Sequence, residues 1–344
     1  MITNVSPGKQ TRTQSLTMPR TILLGKRDIE GLLGMSEVLK AVERAFVLKA
    51  RGEAIMPPKI YLDLPEYHGD FRAMPAYVDG AAGLKWVSVY PDNTTKHGLP
   101  TVIGLIVLSD PNNSYPLAIM DGTYITGMRT GAAGGVAVKY LARRNTRVVG
   151  IIGAGKQART QLMAIREVMP KIDLVKIYDI RPDTSRKYAE EMGASLGLNI
   201  KPVMTVAEAA DADVIVMVTM GTGPVLLKKH VKPGTHINAI GADAPGKQEL
   251  DRALVASAKV VVDDIEQASH SGEINVPIGK GEYKVSDIAA TLGEVAAGLK
   301  ECRQSNEEIT IFDSTGLAIQ DIICAKLVYE KAKDRKVTTF DFLS

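Results

Sequence analysis

The sequence predicts an α/β protein in which a doubly wound parallel sheet is joined to an α+β unit. Three observations carry that reading. An apolar run, Val148 to Ile152, feeds a glycine loop and then a helical stretch. From there to residue 312 strand-like and helical stretches alternate, the pattern of parallel strands with crossover helices. The chain has 344 residues, beyond the size at which a single core keeps growing, so two units are expected.

Taken in order, residues 1–20 hold Lys9, Arg12 and Arg20, no acid, and many Ser, Thr and Gln. A transit peptide shares that composition, but Met18 directly precedes the first patterned segment, so the stretch reads as a disordered extension. Between Asp28 and Lys49 apolar residues recur at helical spacing with a break at Gly34-Met35-Ser36, predicting two helices, the second capped by Ser36. Runs at 60–64, 71–77, 83–89 and 101–108, separated by Pro, Gly, Asn and Asp, predict an antiparallel sheet. A small-residue helix is expected over about 126–144. Strands follow at 148–153, 174–179, 214–218, 237–241, 259–263 and 309–312. The segment Leu317 to Lys333, with Leu317, Ala318, Ile322, Ala325, Val328 and Tyr329 on one side, predicts an amphipathic helix that returns to the first unit or packs across a subunit interface.

Bulk composition excludes several classes of function. Hydrophobic residues are 45% and charged residues 24%, with a net charge of +3 spread along the chain, so no basic patch marks nucleic acid or a membrane surface. The apolar runs are strand-sized, far below the ~18–20 residues of a membrane span. Two cysteines without C-x-x-C suit free thiols in a reducing cytoplasm. His68, His97, His230, His236 and His270 lack ligand spacing, so no metal is expected.

The loop Gly153-Ala154-Gly155-Lys156-Gln157-Ala158 has the form G-x-G-x-x-A. Gly153 permits a tight turn, Gly155 lets backbone approach a pyrophosphate, and Ala158 lets the helix pack on the strand, while free N–H groups at the helix start face phosphates. The next apolar run ends in Asp179, at the spacing of an acid that binds ribose hydroxyls. A carboxylate there repels a 2′-phosphate and favours NAD; Arg181 could pair with that phosphate and leaves NADP open.

Lys59, Arg72, Lys85 and Arg129 stand in apolar or glycine-rich surroundings. Singly each reads as an edge-strand gatekeeper; together they suit a carboxylate-bearing substrate, Arg as a fork and Lys as a charge that also exchanges a proton. Asp243, just past an apolar strand, is expected at the carboxyl edge of the parallel sheet, where it is either an acid/base or a turn acid. Thr219 ends a neighbouring strand and is a candidate for the ribose or nicotinamide. Asp263-Asp264 with Glu266 reads as a solvated strand end, and Ser269 to Asn275 has no reading.

Met56-Pro57-Pro58-Lys59, Arg72-Ala73-Met74-Pro75, Gly83-Leu84-Lys85-Trp86, Met128-Arg129-Thr130-Gly131-Ala132, the 153–158 loop, Ile240-Gly241-Ala242-Asp243 with Pro245-Gly246-Lys247, and Phe312-Asp313-Ser314-Thr315-Gly316 resemble the ornithine cyclodeaminase/μ-crystallin family, from about Thr21 onward. Within it the pattern is most similar to archaeal-type alanine dehydrogenases. The resemblance implies a homodimer whose substrate-binding and dimerisation unit spans 21–137 and 317–344, with a dinucleotide-binding Rossmann unit at 138–316. It implies Lys85 and Asp243 as catalytic, Lys59 and Arg129 gripping a carboxylate, and Thr130, Lys156, Gln157, Asp179, Thr219, Lys247 and Ser314 lining NAD. At Arg72 the chain departs from the acidic residue of cyclodeaminases, which points to a small substrate with one amine and one carboxylate, an amino acid or 2-oxo acid such as alanine and pyruvate. Ornithine cyclodeaminase, ketimine or cyclic imine reductase, and a non-enzymatic binding protein are the alternatives.

Overall fold

A computed structural model describes residues 20–169, 171–221 and 223–343; all of the expected extension but Arg20 lies outside the described residues. The first part comprises β1 (Thr21–Leu24), α1 (Lys26–Glu30), α2 (Met35–Ala50), β2 (Ile60–Leu64), β3 (Gly69–Val78), β4 (Ala81–Val89), α3 (Asn93–Lys96), β5 (Val102–Ser109), β6 (Pro116–Asp121) and α4 (Gly122–Leu141). Then come β7 (Val148–Ile152), α5 (Lys156–Val168), β8 (Leu174–Tyr178), α6 (Pro182–Leu196), β9 (Ile200–Pro202), α7 (Val206–Ala210), β10 (Val214–Met217), β11 (His236–Ala239), α8 (Arg252–Ser257) and β12 (Lys259–Val262). The last elements are α9 (Ile265–Ser271), α10 (Asn275–Gly279), β13 (Ala290–Thr291), α11 (Leu292–Ala296), β14 (Thr310–Asp313), α12 (Ala318–Ala332) and β15 (Thr338–Phe340).

The first sheet has the order β15-β1-β6-β5-β4-β3-β2. Its pairs are antiparallel except one: β1 runs parallel to β6, with Ile22 opposite Ala118, so the sheet is mixed rather than purely antiparallel. Two boundaries also differ from expectation. Helix α2 is capped by the extended backbone of Gly34, not by Ser36, because Met35 is itself buried in the first turn. Helix α4 starts at Gly122, where Asp121 accepts from the N–H groups of Thr123 and Tyr124, which places Arg129 in the second turn.

One face of this sheet, carrying Met74, Val87, Ile106, Leu108 and Met120, is buried beneath helices that include α2, α4 and α12. Truncating a buried Ile of α12 such as Ile322 to Ala would cost about 2–5 kcal/mol. The helix is less amphipathic than expected: every residue from Ala318 to Ala325 is buried, because sheet and helices enclose it on both sides. The opposite sheet face exposes Ile60, Leu62, Trp86, Ile103 and Leu105.

The second sheet, β13-β12-β14-β11-β10-β7-β8-β9, is parallel throughout. Strands such as β10 (VIVM) are buried along their whole length, as parallel sheets covered on both faces require. The chain runs from β7 outward to β8 and β9 and then returns to β10 on the other side of β7, so the switch point, where open sheets bind ligands, lies between β7 and β10. Among the described residues no helix is long and apolar enough to cross a membrane.

Candidate active site

The glycine loop follows β7 at that switch point. Gly153 has φ of 101°, and a Cβ on it would lie 2.7 Å from the Val218 carbonyl oxygen, so the turn needs glycine. Gly155 caps α5 without a side-chain acceptor; space beside its Cα is open, and no acid occupies the first turn. The first N–H groups of α5 are therefore available to an anion. Asp179 Oδ2 accepts from Ala154 N–H at 2.9 Å and Oδ1 from Arg181 N–H at 2.9 Å, which fixes the carboxylate beside the loop. The Arg181 side chain is exposed, its Nε 3.7 Å from Asp179. Lys156 is exposed at the helix start, and Gln157 accepts from the Thr160 hydroxyl. Ala158 is fully buried, its carbonyl bonded to the Tyr188 hydroxyl at 2.9 Å, as close helix packing demands. These residues fit a dinucleotide: a cradle for its pyrophosphate and an acid at its ribose.

A charged cluster forms where β3, β4, α4 and α12 face the edge of the second sheet. Lys85 is 1% exposed, and its Nζ lies 2.7 Å from Asp321 Oδ2 and 3.4 Å from the Thr126 hydroxyl. Arg129 donates from Nε to Asp321 Oδ1 at 2.9 Å and from a terminal nitrogen to Gln320 Oε1 at 3.0 Å. The half-buried Lys59 donates to the Thr315 carbonyl at 2.6 Å. Arg72 grips Asp70 through two bonds of 2.7 and 3.0 Å, reaches Asp243 Oδ2 at 3.1 Å, and lies over the Tyr61 ring at 5.2 Å. Lys247 donates to Asp243 Oδ1 at 2.6 Å. The four cations do converge, but they are not left uncompensated: Asp70, Asp243 and Asp321 sit among them as counter-charges.

Burial pushes Lys85 down to about 7, with Asp321 opposing and Arg129 assisting. Burial likewise lowers Lys59 to about 8. Burial would raise Asp243, but Arg72, Lys247 and Lys59 outweigh it and hold this carboxyl well below the usual carboxylate range. Lys85 thus stands near neutrality and can pass a proton in either direction, whereas Asp243 is kept anionic.

The loop before α12 is organised by Asp263, which the sequence reading left in solvent. It is buried, and it accepts from Thr315 N–H and Gly316 N–H at 2.7 Å each and from the Thr315 hydroxyl at 2.9 Å. Strand β12 ends one residue earlier, and the crossing loop supplies donors that solvent would otherwise provide. Ser314 is buried beside it, its hydroxyl 3.5 Å from Asp263. Asp264 caps α9 and pairs with Lys49 at 2.6 Å, and only Glu266 matches the expected solvated face. Thr219 bonds to Glu249, and the carbonyl of the buried Thr130 accepts from Gln161 of α5 at 2.9 Å, tying α4 to α5. Of the residues missed, Asp321 had a signal, since it falls on the apolar stripe three residues after Ala318 and four before Ala325. Asp70 shares a strand face with Arg72 two residues on.

The model of the ornithine cyclodeaminase/mu-crystallin family matches residues 20–336. The alanine dehydrogenase of Archaeoglobus fulgidus is 53% identical over 320 residues, 92% of this chain and 97% of that protein. A solved archaeal alanine dehydrogenase dimer with bound NAD superposes with a TM-score of 0.90 at 51% identity, covering 94% of this chain and 99% of the other. The Thermococcus litoralis Δ1-pyrroline-2-carboxylate reductase, solved with NADH and L-proline, gives a TM-score of 0.90 at 44% identity, covering 93% and 100%. With the Rossmann loop, the lysine–arginine cluster and the order of motifs already in place, these likenesses settle the assignment: the chain belongs to the ornithine cyclodeaminase/μ-crystallin family.

Proposed function

We propose that this protein is an NAD-dependent L-alanine dehydrogenase, interconverting L-alanine, water and NAD with pyruvate, ammonia and NADH. The observation that carries the chemistry is Lys85, a buried amine near neutrality beside Arg129 and within reach of Lys59. The choice of alanine is supported by the 53% identity to the Archaeoglobus enzyme. When bound by the 153–158 loop and Asp179, NAD would supply the hydride acceptor for the α-carbon of the amino acid. Arg129 and Lys59 orient the substrate carboxylate, the first as a guanidinium fork and the second as a point charge. Lys85 donates a proton to the carbonyl oxygen in one direction and accepts it in the other. Asp243, kept anionic by Arg72 and Lys247, stabilises the ammonium or iminium charge more than it abstracts protons.

The cofactor site is that of residues 153–158 with Asp179, Arg181, Thr219, Lys247 and Ser314, and Asp179 favours NAD over NADP. We assign residues 138–316 to cofactor binding and 21–137 with 317–344 to substrate binding and dimerisation. A homodimer is supported by the exposed apolar face of Ile60, Leu62, Trp86, Ile103 and Leu105, and the solved archaeal alanine dehydrogenase is itself a dimer. The buried free thiols Cys302 and Cys324 suit the cytoplasm.

A second reading, reduction of Δ1-pyrroline-2-carboxylate, is favoured by the likeness to the Thermococcus reductase. The charge argument against ornithine is weaker than the sequence suggested, because Arg72 is compensated by Asp70 and Asp243. The test is NADH oxidation with pyruvate plus ammonium, with pyrroline-2-carboxylate, and proline formation from ornithine. Alanine dehydrogenase requires the first to exceed the second in kcat/KM; proline from ornithine without net NADH change would reassign the protein as a cyclodeaminase.

A further inference from the structure

Glu249 is completely buried behind the carboxyl ends of β10 and β11. Its Oε1 accepts from the Thr219 N–H at 2.9 Å and from the Thr219 hydroxyl at 2.5 Å. Its Oε2 accepts from the Gly241 N–H at 2.9 Å. One side chain thereby joins the residues that leave two neighbouring parallel strands, at the edge that also carries Asp243. Gly241 leaves no room for anything larger: a Cβ there would lie 2.1 Å from Glu249 Oε2 and 2.7 Å from the Thr219 carbonyl oxygen.

Glu273 and Asn275, in the stretch Ser269 to Asn275 that has no reading from sequence, brace this arrangement from behind. Glu273, also fully buried, accepts from the N–H groups of Glu249 and Leu250 at 2.9 and 3.0 Å. Asn275 donates to the Lys247 carbonyl at 2.9 Å and accepts from Gly246 N–H at 3.0 Å. Burial raises the Glu249 carboxyl, and its Thr219 and Gly241 donors oppose that shift. An amide would not replace it: three donors converge on two oxygens, so the NH2 of a glutamine would meet an N–H or O–H donor on one side.

We propose that Glu249 is a positioning residue of the cofactor site, joining Thr219 to Gly241 so that the sheet edge beneath the nicotinamide half of the dinucleotide keeps one width, with Glu273 and Asn275 bracing the loop that presents Asp243 and Lys247. This rests on the reading that a dinucleotide lies along that edge.

The test is Glu249→Gln, with NADH affinity measured by fluorescence on the folded protein. The dissociation constant is expected to rise about tenfold or more, the scale of one hydrogen bond to a charged group. Gly241→Ala, which displaces the same carboxylate, is expected to reproduce the loss. A merely structural role would lower the thermal midpoint and leave NADH affinity unchanged, so a folded Glu249→Gln that binds NADH within twofold of wild type overturns the proposal. Should neither variant fold, amide exchange in the cofactor-free wild type decides: slow exchange of the Thr219 and Gly241 amides, which lie beyond the strand ends, supports the join, and free exchange of either overturns it. Wild type that binds NADH but prefers another imino acid would change the substrate reading and leave this proposal standing; wild type that binds no dinucleotide would remove the cofactor reading itself.

Discussion

Asp321 Oδ2 lies 2.7 Å from Lys85 Nζ, while the other oxygen of the same carboxylate lies 2.9 Å from Arg129 Nε, so one buried acid of the C-terminal helix holds two of the four converging cations. Asp321→Asn keeps the shape and removes the charge. Breaking a buried pair leaves uncompensated charge, and we expect a stability loss of about 3–5 kcal/mol by denaturant unfolding. Unfolding within 1 kcal/mol of wild type would show that these cations need no partner.

Lys85 falls to about 7, which gives the pH dependence a sign. Alanine oxidation needs the free amine as acceptor, so kcat/KM should rise with pH through an inflection near 7; pyruvate reduction needs the protonated form, and the Lys85 contribution to its kcat/KM should fall through the same value. Because Asp321 raises Lys85, Asp321→Asn should move the inflection to lower pH. A profile for alanine oxidation that is flat from pH 6 to 8 contradicts the role.

Lys85→Met should lower kcat by about 100-fold or more, the effect of removing a donor at developing charge, with NADH affinity preserved. The measurement is steady-state turnover beside NADH titration. Near-normal turnover would move the proton to another group.

Asp179→Ser should reduce the NAD/NADP ratio of kcat/KM by about tenfold or more, since the repulsion of a 2′-phosphate goes while the exposed Arg181 remains. An unchanged ratio would mean that Asp179 serves only its bonds to Ala154 and Arg181 N–H.

Leu105, 53% exposed on the uncovered sheet face, tests the dimer. Leu105→Glu should shift sedimentation toward the monomer if this face pairs two copies, because a charge would then replace apolar area in the contact. A dimer that persists undiminished would place the interface elsewhere.

What could be read from the chain follows from what each feature demands of local chemistry. The glycine loop is legible because a positive φ at Gly153 and an uncapped helix start leave few residue choices. The parallel strands are legible as apolar runs. Strands β13 and β15, two and three residues long, carry too little pattern to see. The cations stand out as charges in apolar surroundings, but apart from Asp70 their acidic partners come from remote chain segments, as with Asp321, which lies 236 positions after Lys85 in sequence. Asp263 was misplaced because two consecutive acids after a strand look solvated until the loop at 314–316 folds over one of them.

The seam between α4 and α5 has a mechanical meaning. A methyl group on Gly131 would lie 2.4 Å from the Thr160 carbonyl oxygen, so the two helices touch backbone to backbone there, and one on Gly134 would lie 2.0 Å from Gln161 Oε1. Gln161 and Asn238 then bond them to each other and to β11. Arg129 rides on one helix and the uncapped first N–H groups on the other, so the pair acts as a ruler. The separation between that guanidinium and those N–H groups is gauged when the chain folds, and any side chain larger than glycine at 131 or 134 would reset it.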